Sequence, residues 1–366
     1  MSIILFLLVL FVLILVHEWG HFIMAKKTGM RVDEFGIGFP PKMFGIKKGE
    51  TEYTFNALPI GGFVRIFGEN LEAIPDSEGD KSRAFGSRPK WAQAVVLVAG
   101  VAMNVIFAWF LFFIAFTIGT PTAVEESKAS DEAVLYVTGI LPNSPLEDKL
   151  PLGVEITEVA SGEDFLSKPT PTTFSEFIQN HPNESVNVTF KETTDDYTTI
   201  TVEPKTGLIP NDETKVAVGV SLAMVETVDR SFFEALSDSF SATINGLKNI
   251  IVGLSVLVVG AFTGTSDLSQ VAGPVGIVGM VGDAAEVGIV SLLIFTAIIS
   301  LNLAVINLLP IPALDGGRLV FVAIEAVTKK EINPVWAGRV NAVGFILLMI
   351  LMVVVTYNDI MRIITG

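Results

Sequence analysis

The sequence predicts a polytopic α-helical membrane protein carrying an inserted β-rich domain. Three observations lead there. Half of the 366 residues are hydrophobic and only 17% are charged, with a mean hydropathy of +0.58, which excludes an ordinary soluble globule. Four stretches are long and apolar enough to span a bilayer, which takes about 20 such residues. Between the second and the third lies a polar segment punctuated by Pro and Gly, and its length of about 100 residues suffices for one small domain.

The first span is placed at 2–25. It lacks a positively charged leading region, and its apolar run continues to Ala25 with no Ala-x-Ala site behind it, so it reads as a retained helix and not a cleaved signal. In the loop that follows, "EYTFNALPIGGFVRIFGE" (Glu52–Glu69) alternates Tyr53/Phe55/Ala57 and Phe63/Arg65/Phe67 about a Pro-Ile-Gly-Gly turn. That pattern predicts a β-hairpin at 52–69, and its aromatic content suggests that it dips toward the membrane. "GIGF" (Gly36–Phe39) lacks the strand-to-helix context of a dinucleotide loop. After "SRPK" (Ser87–Lys90) comes the second span, 92–119, which completes a first membrane part, 1–120.

Residues 121–225 read as short strands, "AVLYVTGI", "EITEVA", "SVNVTF", "TTITVEP" and "KVAVGVSL", with a helix at "TFSEFIQNH". Residues 226–286 read as amphipathic or interfacial helices. Phe232, Phe233, Leu236, Phe240, Ile244 and Leu247 recur at helical spacing, as in a helix lying on the membrane surface or packed on the β-rich domain. "IIVGLSVLVVGAF" (Ile250–Phe262) is short for a span. The second membrane part, 287–366, holds spans at 287–311 and 338–357.

Charge sets the orientation. Lys26, Lys27 and Arg31 flank one end of the first loop and Arg83, Arg88 and Lys90 the other, while Lys329, Lys330 and Arg339 lie between spans three and four. Both loops are then cytoplasmic. Spans one and three run in the same direction, and both termini face away from the cytoplasm. Over 120–248 there are twenty-two Asp/Glu against eight Lys/Arg, nearly all of the net charge of −15. This acidic segment is translocated. No basic stripe suggests nucleic acid.

The chemistry is concentrated in "ILVHEWGHFIMAK" (Ile14–Lys26). His17 and His21 lie one helical turn apart on one face, so both imidazoles can reach one metal ion. Glu18 is rotated by about 100°, free to act as general base on metal-bound water. Such groups inside an apolar helix are costly and usually mark function. The chain has no cysteine, which excludes thiolate metal sites and disulfides. The only other histidine, His181, lies in the translocated segment, so the third ligand is expected to be a carboxylate. Asp267, Asp283, Glu286, Asp315, Glu325, Glu331 and Asp359 are the candidates. HEWGH lies toward the cytoplasmic end of span one, and depth favours Asp315, with Glu325 in reserve. In "NLLPIPALDGGR" (Asn307–Arg318) Pro310 and Pro312 break the helix, and Gly316–Gly317 let backbone approach closely. Broken helices at membrane depth are tolerated where they are buried or line a watery cavity. The alternative is that Asp315 merely caps a helix.

HEWGH in the first membrane helix with N-x-x-P-x-P-x-L-D-G-G in a later one resembles the site-2 protease family of intramembrane zinc metalloproteases, most closely the bacterial regulator-of-sigma-E protease branch. "EFGIGFPPKMF", "NALPIGGFVRIFGE" and "GPVGI" (Gly273–Ile277) extend the likeness over nearly the whole chain. The resemblance implies zinc held by His17, His21 and Asp315, Glu18 as general base, and substrate contacts from Asn302, Asn307, Pro310 and Pro312. It implies that the hairpin presents an edge to a substrate strand and that 121–225 is an extracytoplasmic PDZ-like domain. "VTGILPNSPLEDKLPLG" (Val137–Gly153) is similar to a PDZ strand and turn, although "LGVEI" stands where relatives carry Gly-Asp. That leaves open whether the domain takes a peptide or protein ligand or only filters substrates by size. The implied function is cleavage of transmembrane segments of single-span proteins, anti-sigma factors or remnant signal peptides, in regulated intramembrane proteolysis at the cytoplasmic (inner) membrane. The alternative is a non-catalytic zinc-containing membrane scaffold that binds partners through the PDZ-like domain.

Overall fold

The fold is given by a computed structural model describing residues 2–69, 81–141, 144–147, 149–193, 196–208, 215–228, 230–264 and 272–365. The first elements are α1 (Ser2–Lys27), β1 (Val32–Lys48), β2 (Thr51–Ile66) and α2 (Lys90–Ile118). Next come β3 (Thr120–Val124), β4 (Val134–Ile140), β5 (Glu155–Ser161), β6 (Asp164–Ser167), α3 (Pro171–Asn180), β7 (Val186–Thr193), β8 (Asp196–Val202) and β9 (Val220–Val228). The chain closes with α4 (Phe232–Thr263), α5 (Pro274–Val287), α6 (Ile289–Leu308), α7 (Asp315–Thr328) and α8 (Pro334–Thr365). Two compact units result, Met1–Ala115 with Phe232–Gly366, and Phe116–Ser231.

Within the first unit, α1, α2, α4, α6 and α8 are each long and apolar enough to cross a membrane, so the chain is a multi-pass membrane protein. Small residues bring α1 and α2 together: a Cβ on Gly20 would meet the Ala99 carbonyl and come within 2.7 Å of Met103 Cγ. Close backbone approach of this kind is how membrane helices gain packing energy without a hydrophobic drive. α1 is stopped by Gly29, two residues beyond its end, whose φ of 78° is left-handed. The Met30 N–H then reaches back to the Ala25 carbonyl at 2.9 Å, closing the helix end.

β1 and β2 are antiparallel, but not as the hairpin expected at 52–69. Residues 32–37 of β1 pair with 62–66 of β2 on one side and with 52–55 on the other, and 44–48 of β1 pair with 51–55. The two arms of the expected hairpin are therefore separated by an intervening strand. Their alternation is real, but Pro59 and the positive φ of Gly61 open a wide excursion instead of a tight two-residue turn. Phe39, Met43, Phe44, Ile46, Phe55, Leu58 and Ile60 are exposed at the bent end of this sheet.

The stretch expected as separate surface helices and a short apolar segment is one continuous helix, the 32-residue α4. Its Ala242, Leu247 and Ile250 pack on a cluster formed by Ala108, Leu111 and Phe112 of α2 and Ala297 and Leu301 of α6. Sequence reasoning split it where a polar face gives way at Lys248–Asn249 to an all-round apolar surface, which is a change of environment and not of conformation.

The second unit is a seven-stranded sheet in the order β3-β9-β4-β5-β7-β8, with β6 paired to β5. Alternate residues Val186, Val188 and Phe190 of β7 point into its core, where they meet Leu135, Ile156 and Ile178. α3 is started by Pro171 and a reciprocal pair of bonds between Thr170 and Thr173, a capping box.

Candidate metal centre

α6 stops at Leu308, and the chain doubles back over Pro310–Leu314 before α7 begins. Ala313 takes a φ of 79°, strained for a residue with a side chain. The turn is close enough that a Cβ on Gly316 would strike the Leu308 and Leu309 carbonyls, and one on Gly317 would sit 2.9 Å from Pro312 Cα. Asp315 thereby arrives at the first position of α7, with Leu314 as the N-cap and no side-chain cap bond at that end. Its carboxylate does not cap the helix but turns toward α1.

There it meets both histidines. His17 Nε2 lies 3.0 Å and His21 Nε2 3.2 Å from Asp315 Oδ2, and the two Nε2 atoms are 3.0 Å apart. Ligand atoms about 2.1 Å from a tetrahedral zinc are roughly 3.4 Å from one another, so the three stand near one face of such a tetrahedron. Among the described residues this is the one group of three potential ligands close enough to share an ion. Both histidines are buried. His21 Nδ1 lies 2.8 Å from the Val96 carbonyl; donating there, it leaves Nε2 as the free electron pair. An all-nitrogen-and-oxygen set with imidazoles fits zinc.

Glu18 sits beside the triad, and its Oε2 accepts the Val64 N–H at 3.1 Å. Val64 lies in the 62–66 part of β2, whose one strand neighbour among the described residues is β1, so the bond comes from the open side of the sheet. Arg318, one turn beyond Asp315, pairs with Glu69. Both line a cavity of about 390 Å³ with Lys81, Lys90, Glu325 and Glu331, giving polar ground beside the centre.

The remaining carboxylates are placed as follows. Glu325, the reserve ligand, holds Lys90 at 2.6 Å and accepts the Ile332 N–H at 2.9 Å, so it ties α7 to α2 and to the turn behind α7. Asp283 and Glu286 are on α5, whose Gly282 lies against Ser2, about 22 Å along α1 from His17 at 1.5 Å per residue. Asp359 is buried and accepts the N–H groups of Gly273 and Gly276 at 3.0 and 2.8 Å, capping α5 from α8. Asp267 lies outside the described residues.

Of the expected substrate contacts, Asn302 returns its amide to the Ile298 carbonyl at 2.9 Å. Pro312 packs on α8, where a Cβ at Gly344 would be 2.5 Å from its ring. Asn307 is half-buried and Pro310 exposed at the helix break. Sequence reasoning missed two α2 residues that complete the centre. A Cβ on Gly100 would lie 2.7 Å from His21 Cε1 and 2.8 Å from His17 Cε1, and Asn104, fully buried, faces His17 Nδ1 at 3.3 Å. The available signal was a lone Asn one turn from a Gly in the interior of a long apolar helix.

Comparison with known proteins agrees with this geometry. The model of a family described as peptidase family M50 matches residues 5–351. A Clostridium perfringens protein is 37% identical, over 98% of both chains. The regulator of sigma-W protease RasP of Bacillus subtilis is 31% identical over 99% of this chain and 98% of its own. The zinc metalloprotease RasP of Oceanobacillus iheyensis is 29% identical over 99% of each.

Proposed function

Because the chain belongs to peptidase family M50 and is a zinc metalloprotease, we propose that it cleaves the transmembrane segments of single-span membrane proteins at a site held by His17, His21 and Asp315. The observation that carries this is the convergence of two imidazoles and a carboxylate at one point, with the Glu18 carboxylate beside them on the open edge of a sheet. Zinc bound to such a set supplies a Lewis acid and brings a water within reach of deprotonation near neutral pH.

Glu18 is the proton carrier in this reading. Its carboxylate takes a proton from the attacking water and returns it to the leaving nitrogen. The Val64 N–H fixes where that carboxylate stands. A helical substrate hides its carbonyls in its own hydrogen bonds, so it must be held extended. The open edge of residues 62–66 can do this by strand addition, and it lies beside Glu18. In this reading Asn307 and Pro310, at the helix break, contact the unwound segment, with Asn307 a candidate donor to the oxyanion. Pro312 then acts by shaping that break. The exposed apolar end of the β1–β2 sheet enters the bilayer.

Four crossings follow, by α1, α2, α6 and α8. Asp315 just beyond α6 meets the second half of α1, while Gly282 just before α6 lies by Ser2, so α1 and α6 are parallel. α4 starts beside Phe113 near the end of α2, and α5 starts beside Asp359 near the end of α8. Both starts are on the face away from Lys26 and Lys90, so α4 accompanies the bundle with no net crossing. The Lys- and Arg-rich loops face the cytoplasm, and the Phe116–Ser231 unit is extracytoplasmic. In that unit a groove lined by Phe174, Ile178, Lys215, Gly219 and Leu222 suits a short apolar peptide, as a PDZ-like domain would take. Incubating the purified protein with single-span substrates tests the reading: wild type releases cleaved products and the Glu18→Gln protein does not.

A further inference from the structure

The two imidazoles of the centre have unequal support. His21 directs Nδ1 at a backbone carbonyl, which can only accept, so its tautomer is fixed with Nε2 toward Asp315. Among the described residues no such carbonyl stands opposite Nδ1 of His17. What stands there is the side-chain amide of Asn104, on α2. Asn104 is fully buried, and its Oδ1, with its amide nitrogen turned to the ring, meets no hydrogen-bond partner among the described residues. Its backbone carbonyl accepts the buried Ser300 Oγ–H at 2.8 Å, so α6 pins this residue.

An amide oxygen and nitrogen exchange places by a half-turn, and only their partners decide between the two orientations. With Nε2 of His17 given to a metal, Nδ1 carries the hydrogen. An amide N–H facing that N–H makes no bond. The half-turned amide presents its oxygen and satisfies the ring. Either orientation leaves one amide atom over, but only the second also makes the bond to His17. We propose that Asn104 is the positioning residue of His17: its side-chain oxygen accepts the Nδ1–H and so holds Nε2 toward the metal. This rests on the zinc reading above and adds to the His17–His21–Asp315 triad and Glu18 a residue on a third helix. It also gives Gly100 and Asn104, one turn apart on α2, complementary parts, one clearing space for the rings and the other orienting one of them.

The chain has three histidines, so [15N]histidine labelling of the full protein in micelles gives three imidazole spectra. Zinc-loaded wild type is expected to show His17 with a slowly exchanging Nδ1–H. Asn104→Leu should lose that protection while His21, held by Val96, keeps its own. Loss of such an outer partner costs about 10- to 100-fold in metal affinity, read by zinc competition against a chelator. Asn104→Asp, which keeps an acceptor at the same place, should restore zinc binding. A His17 Nδ1 without hydrogen in the zinc-loaded wild type overturns the proposal, and this arm needs no variant to fold. Unchanged zinc affinity in a folded Asn104→Leu protein overturns it as well, as does failure of a folded Asn104→Asp protein to restore affinity. Wild type that binds no zinc is a different outcome, and it removes the metal reading itself.

Discussion

Replacing Gly100 with alanine should cripple zinc binding without touching any ligand. The added methyl would stand 2.7 Å from His21 Cε1 and 2.8 Å from His17 Cε1, against about 3.5 Å for carbon atoms at contact. The methyl would strike His21 Nε2 closer still, so relief by ring movement alone needs shifts of roughly 0.7–1 Å, several times the roughly 0.2 Å tolerance of metal–ligand distances. Relieving it by separating α1 from α2 breaks the contact of Gly20 with the Ala99 backbone. Overpacking of this kind costs roughly 1–3 kcal/mol. Because the strain falls on both imidazoles of the proposed site at once, we expect it chiefly as lost metal affinity, about 5- to 150-fold at 1.4 kcal/mol per decade. Alanine favours a helix over glycine by up to about 1 kcal/mol, so α2 itself should persist. The assay is a zinc competition titration in detergent, with circular dichroism as the folding control. A folded Gly100→Ala protein that binds zinc as tightly as wild type would refute the packing argument.

Further outcomes follow from the same contacts. Asp315→Asn should lower zinc content and proteolysis together, whereas Glu325→Gln should keep zinc, because Glu325 is engaged with Lys90 and the Ile332 N–H; zinc loss only in the second protein would make Glu325 the ligand. Hydrogen bonds from Arg83 and Lys26 pull the Glu50 carboxyl from 4.5 down to about 2. Its contribution is therefore full above pH 4.5 and is lost as pH falls toward 2. With the side chain about a third exposed, solvent screening leaves roughly 1 kcal/mol of this. Hydrogen-exchange protection over residues 44–55, taken relative to the intrinsic rate at each pH, should fall across that window in wild type and should already be reduced at neutral pH in Glu50→Gln. A flat pH profile in wild type would mean that the Arg83–Glu50–Lys26 cluster does not hold the sheet.

The parts of the centre legible in the sequence are those set by local geometry. His17 and His21 announce themselves because a four-residue spacing on a helix is enough to bring them together. Asp315 is remote, but histidine is so scarce and depth so restrictive that few carboxylates remain. Gly100 and Asn104 were not legible, since their roles depend on how α2 rotates against α1, and packing of small residues such as Gly20 and Ala99 decides that. The sheet was misread for a related reason. Tyr53/Phe55 and Phe63/Arg65 alternate as two strands should, but alternation does not say which strand lies between them. The strand that does, residues 32–37, is interrupted by Gly36 and followed by Gly38, Pro40 and Pro41, which mask its own pattern. Helix α4 shows the converse, with one conformation running through two compositions.

The most direct test of the account is to measure zinc content and cleavage of a single-span membrane substrate in one preparation of the Glu18→Gln protein. Glu18 stands beside the His17–His21–Asp315 triad, held by the Val64 N–H, and is not one of its ligands. Zinc should be bound as in wild type with cleavage abolished. Cleavage at the wild-type rate would contradict this reading.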